Sequence, residues 1–131
     1  MEKTEKGFVF PFEKLEVWEL AVELADYVLG LMESIPTNRH LRLIGQMEAA
    51  VCSVAQNIAE GKGRQYKKEF IQFLHVAEGS LFEVLTLAGI FRRRRLLKQS
   101  DVDEIRRRAE IIDRKIHGLL SSLRGSLRKS G

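Results

Sequence analysis

Between residues 70 and 91, Phe70, Leu74, Ala77, Leu81, Val84, Ala88 and Phe91 recur at intervals of four and three. Apolar positions in that rhythm line one stripe of an α-helix and fit no single face of a strand. Three further segments repeat it. Leu15, Trp18, Val22, Ala25, Leu29 and Met32 form one stripe, widened by Ala21, Val28 and Ile35. Leu43, Met47, Ala50, Val54 and Ile58 form another, widened by Ile44 and Val51. Val102, Ile105, Ala109, Ile112, Ile116, Leu119 and Leu123 form the last. Only two prolines fall in the 131 residues, so little interrupts these helices. The pattern predicts an all-α chain with helices at about 13–34, 40–60, 66–94 and 100–127, after an extended arm over 1–12. Connections this short predict an antiparallel, up-down-up-down four-helix bundle, with 1–131 as one domain.

The breaks carry their own signals. Pro36 stops the first helix, and Thr37 or Asn38 is placed to cap the second. Gly61 and Gly63 offer the backbone freedom of a helix stop. Ser100, followed by Asp101, Asp103 and Glu104, reads as a cap and an acidic first turn. Phe73, Phe82, Leu85, Leu87 and Ile90 give the third helix a second apolar flank, so it is central or touches two neighbours. Gly79 within that helix costs about 1 kcal/mol relative to alanine, which a close crossing would explain. On the arm, Phe8, Phe10 and Phe12 alternate and require a surface to bury against.

No apolar run approaches the roughly 18 residues of a membrane span, and no signal peptide is apparent. Cys52 has no cysteine to pair with, which fits a reducing, cytoplasmic setting. A di-iron bundle needs Glu-x-x-His on two helices. Here His75 and Glu78 give the reverse order once, and His40, His75 and His117 fall on different segments. No metal site and no cofactor are expected. Cys52 lacks a neighbouring base, and Gly61-x-Gly63 follows a helix and lacks the Lys-Ser/Thr of a phosphate loop. No enzymatic activity is expected.

Charge is the remaining signal. Residues 1–91 carry nine basic and thirteen acidic side chains, whereas residues 92–131 carry thirteen and five. In an up-down bundle one end would gather Arg39, Arg42, Arg92, Arg93, Arg94, Arg95, Lys98, Arg106, Arg107 and Arg108. Two readings stand side by side. These residues are a solvated basic surface paired with Asp101, Asp103 and Glu104, or they bind an acidic partner such as RNA or DNA. The alternative to nucleic-acid binding is a protein–protein adaptor or a structural oligomer.

The string Asn57-Ile58-Ala59-Glu60-Gly61, followed by Gly63-Arg64, Glu69-Phe70, Phe73-Leu74, Ala77, Gly79-Ser80-Leu81 and Glu83, resembles the 23S rRNA intervening-sequence family. Phe12, Leu15, Val17-Trp18 and Ala21 resemble that family's opening. The match runs over about residues 8–98. The resemblance implies a bacterial, cytoplasmic four-helix bundle assembled as a ring-shaped homopentamer. It also implies kinship with accessory proteins of diversity-generating retroelements, which bind a reverse transcriptase and nucleic acid through a basic surface. The chain departs from the pattern at Glu48-Ala49, where the family tends to carry a basic pair, and at Glu78, where a basic residue is common. Arg93-Arg94-Arg95-Leu96-Leu97 replaces the usual Gly-Tyr-Leu turn. Positive charge is thereby moved to the third helix's end. The hairpin residues Asn57, Glu60, Gly61, Gly63, Arg64 and Glu69 have a structural reading: glycines turning the chain, Arg64 pairing with Glu60 or Glu69, and Asn57 meeting loose carbonyls.

Overall fold

A computed structural model describes residues 7–130, and all regular structure among them is helical. Helix α1 spans Glu16–Glu33, α2 Leu41–Lys62, α3 Lys67–Arg93 and α4 Gln99–Ser130. Each packs on the next, and α4 closes the set against α1.

The α3 stripe dictates the centre. All seven of its stripe positions are buried, with Leu74, Ala77, Leu81, Val84, Ala88 and Phe91 fully so. From α2 come Met47, Val51, Val54 and Ile58, and from α4 Ile105, Ile112, Ile116 and Leu120. Helix α1 presents a rotated face. Ala21, Leu24 and Val28 are its fully buried residues, while Leu15, Trp18, Val22 and Leu29 are half-buried on its flank. An apolar helix this wide carries two 3-4 rows, and here the second of them meets the core.

The arm does not stay extended through residue 12. Pro11–Lys14 form a 3-10 turn, because Pro11 supplies the helical φ and the Glu13 carboxylate accepts the Phe10 N–H at 2.8 Å. The turn packs on α1 and α2. Phe8, Phe10, Phe12 and Trp18 form a ladder of rings, with centroids 4.7, 6.0 and 5.0 Å apart. Residues 1–6 of the expected arm lie outside the described residues.

Several helix ends depart from the expected caps. Helix α2 starts after His40 with no side-chain cap from Thr37 or Asn38. Helix α4 starts at Gln99, because the Lys98 carbonyl already accepts from Asp101 and Val102. Ser100 therefore sits inside the first turn rather than capping it. By length and composition alone α3 is apolar enough to cross a membrane, contrary to the reading of apolar runs. Its stripe is instead spent on the packing against α2 and α4.

Candidate nucleic-acid interface

Helix α3 ends inside the arginine block. Arg92 and Arg93 are its last residues, Arg94 is the cap, and Arg95 adopts φ 63°. The Leu96 N–H donates to the Phe91 carbonyl at 2.8 Å and the Arg95 N–H to the Arg92 carbonyl at 3.0 Å. This pair of bonds is the Schellman stop, normally built on glycine. An arginine in the left-handed region costs about 1–2 kcal/mol. The block consequently leaves the helix halfway and spreads around the turn.

Ser34, at the end of α1, lines the same groove as Arg92, Arg95, Lys98 and Asp101. The α1–α2 connection thus begins beside the arginine turn, and Arg39 within it and Arg42 in the first turn of α2 are exposed. Arg92 donates through Nε to Gln99 Oε1 at 3.2 Å, and Gln99 donates on to Asp103 at 2.9 Å. Glu104 holds Arg107 at 2.6 Å and Arg108 at 2.8 Å. Hydrogen bonding from Arg107 holds the Glu104 carboxyl below its ordinary range. Arg108 also lies over the Tyr27 ring, 5.1 Å from its centroid. Burial pushes the Tyr27 phenol up, helped by the nearby Asp101 and Glu104 charges. Among the expected residues, then, Arg107 is held by Glu104 on its own helix, Arg108 also serves the α1–α4 contact, and Arg92 is tied by a bridge. Arg93, Arg94, Arg95, Lys98 and Arg106 are exposed and have no acidic partner within 4.0 Å among the described residues.

The hairpin motif fastens α2 to α3 by contacts other than those expected. Gly61 lies within α2 and Gly63 caps it at φ −80°, so neither glycine uses the left-handed region. Gly61 is a packing glycine, since a Cβ there would sit 2.6 Å from Phe73 Cβ and 2.9 Å from Phe70 Cδ1. Arg64 stacks on Phe73, 4.7 Å from the centroid, instead of pairing with Glu60 or Glu69, and both glutamates are exposed. Asn57 is placed before the helix end and donates to the Ser53 carbonyl and hydroxyl at 2.8 and 2.9 Å. Ser53 in turn meets Ser80 of α3 at 2.8 Å. That small polar chain across the interface was missed in the sequence, although Ser53 and Ser80 both lie among small residues of their helices. Gly79 marks no crossing inside the chain, because a Cβ there would meet nothing within 4 Å.

A second polar cluster joins α3 to α4. The His117 imidazole lies 2.6 Å from Glu78 Oε2 and 3.8 Å from Asp113 Oδ2. Burial, then a hydrogen bond and charge repulsion from Glu78, raises the Asp113 pKa to about 6. A carboxyl raised above its ordinary 3.8 contributes most to stability below about pH 4 and loses that contribution as pH rises through about 6. Asp113→Asn is therefore expected to stabilise the fold at pH 7.5 by about 1–2 kcal/mol, after allowance for its partial exposure. Thermal melts of both proteins from pH 3.5 to 7.5 check this, and the gain should vanish below about pH 4.

These features define an all-α protein of four helices whose α3–α4 turn carries unpaired cations. The family model of the 23S rRNA-intervening sequence protein matches residues 13–118, and the chain belongs to that family. Its fold is similar to that of a protein of unknown function from the S23 ribosomal protein family of Bacteroides thetaiotaomicron VPI-5482, with a TM-score of 0.72 at 18% identity. That match covers 79% of this chain and 97% of the other. No curated protein matches the chain.

Proposed function

We propose that the chain is a non-enzymatic, oligomeric, antiparallel four-helix bundle that binds RNA or DNA through the basic surface around the α3–α4 turn. The observation that carries this is the run of exposed, unpaired Arg93, Arg94, Arg95, Lys98 and Arg106. Five uncompensated cations around one turn suit a polyphosphate backbone better than any one carboxylate. The up-down-up-down reading is supported by partners that rise on one helix as they fall on the next. Arg92 meets Gln99, Glu78 meets His117, His75 meets Arg124 and Lys67 meets Ser126.

Assembly into a ring of five is supported by one face of α3. Val76, Phe82 and Ile90 are 52, 50 and 42% exposed there, and Gly79 and Gly89 leave open space beside them. A single chain gives these residues nothing to bury against, and a neighbouring subunit would. Five copies multiply weak phosphate contacts by avidity. A reverse transcriptase is the protein partner that the resemblance suggests for such an assembly, in the cytoplasm. The same exposed apolar face favours the second reading, a protein–protein adaptor without nucleic acid.

A mobility-shift titration with structured RNA and with duplex DNA at low salt tests the proposal. Retardation of at least one is expected, and retardation of neither would overturn it. Light scattering on the same sample should give a discrete oligomer. A monomer at micromolar concentration would contradict both readings.

A further inference from the structure

Glu78 on α3 and Asp113 and His117 on α4 bring two carboxylates and one imidazole together, with one donor atom of each within 4.8 Å of the others. Helical spacing puts them there. Asp113 and His117 are four apart on α4, and His75 and Glu78 are three apart on the facing stripe of α3. Glu78 is only 14% exposed and Asp113 31%, while His117 forms the open side.

Protein groups alone leave this cluster poorly satisfied. Glu78 and Asp113 bring two carboxylates together, and like charges at that range repel. Asp113 Oδ1 is shielded from solvent and has no hydrogen-bond partner among the described residues. His75 stands beside the cluster, with Nδ1 4.0 Å from Glu78 Oε1, and Arg124 lies 2.8 Å from its Nε2.

We propose that Glu78, Asp113 and His117 bind one divalent transition-metal ion of the zinc type. Mixed imidazole and carboxylate donors suit such an ion. Bonds of about 2.0–2.2 Å place tetrahedral ligand atoms roughly 3.3 Å apart. The present separations of 2.6 and 3.8 Å bracket that value, so side-chain adjustments suffice. The ion would sit between the two carboxylates and His117 Nε2 and offset the repulsion of the carboxylates. Two or three protein ligands leave coordination positions for water, on the side where Asp113 also lines an open groove with Phe82, Arg106 and Glu110. The proposal departs from the sequence expectation of no metal, which weighed the Glu-x-x-His pattern of di-iron bundles and did not pair Glu78 with Asp113 and His117.

The test uses untagged, chelator-stripped protein at pH 7.5, titrated with Zn²⁺ for thermal shift and with Co²⁺ for visible absorption. One ion per chain is expected, with a Zn²⁺-dependent rise in Tm of about 5 °C. His117→Gln and Asp113→Asn should each weaken binding at least about tenfold. His40→Gln, far from the cluster, should bind as wild type. Far-UV circular dichroism confirms that each variant retains its helices, and Asp113→Asn should lose the Zn²⁺ shift while its metal-free Tm rises. No Zn²⁺ shift and no Co²⁺ band in the wild type would overturn the proposal. So would undiminished binding by the His117→Gln, Asp113→Asn double variant.

Discussion

Replacing Arg92, Arg93, Arg94 and Arg95 together by glutamine is expected to weaken RNA binding by about 10–100-fold at 0.1 M salt. Arg92 is engaged with Gln99, and the Schellman stop sends Arg94 and Arg95 off the helix. The four side chains cannot all face one strand, so about two phosphate contacts are at stake. Each contact contributes about 0.7–0.9 to the slope of log affinity against log salt. Two lost contacts make that slope shallower by about 1.4–1.8 and, referred to 1 M salt, weaken binding at 0.1 M by the factor given. Stability should change little, because the arginines are exposed and their favourable interaction with the α3 dipole is about 0.3–1 kcal/mol. Mobility-shift titrations at a series of salt concentrations, with thermal melts alongside, check both halves. Unchanged affinity would move the interface elsewhere on the molecule.

The second large effect is on folding. Gly61→Ala should destabilise the protein by about 1–3 kcal/mol, the cost of overpacking a filled core. The new Cβ would stand 2.6 Å from Phe73 Cβ, an atom fixed to the α3 backbone that no rotamer change can move. Phe70 Cδ1 at 2.9 Å closes the other side. The α2–α3 contact must open, and the stacking of Arg64 on Phe73 opens with it. Gly63→Ala is the matched comparison. Its φ of −80° suits any residue, and its nearest atoms would be carbonyl oxygens at 3.6 and 3.7 Å. It should be neutral or stabilising by about 0.4–1 kcal/mol through the unfolded chain. Urea unfolding of the three proteins checks the pair. Equal effects at the two glycines would mean that the turn, and not the packing, needs them.

The contrast between those glycines shows where the sequence was legible. The α3 stripe was readable outright, because seven apolar residues at 3-4 spacing can share only one helical face. Helix α1 was read one row off, because Leu15 and Trp18 are as apolar as Leu24 and Val28, and only its neighbours decide which row is central. The helix stop at Gly61-x-Gly63 was visible, but its cause was not. Glycine signals backbone freedom and close packing alike, and the approach of Phe73 depends on how α2 crosses α3.

The same limit governs the charges. The excess of arginine after residue 91 was plain, and so was its place at the end of α3. Which cations are taken up depends on register. Glu104 reaches Arg107 and Arg108 from three and four residues away, whereas Arg93, Arg94 and Arg95 have no acid within 4.0 Å among the described residues. The Glu78, Asp113 and His117 cluster was hidden for this reason too. Its two halves stand 35 residues apart in sequence and meet only once α3 and α4 are aligned.

The central claim is that unpaired arginines around the α3–α4 turn meet a phosphate backbone. The slope of log Kd against log salt for wild-type protein and structured RNA, taken from 0.05 to 0.3 M monovalent salt, tests it most directly. Contacts with about four or more phosphates predict a dissociation constant that rises with salt at a slope of roughly 3 or steeper. A flat response across that range, or no binding at its lower end, would contradict it.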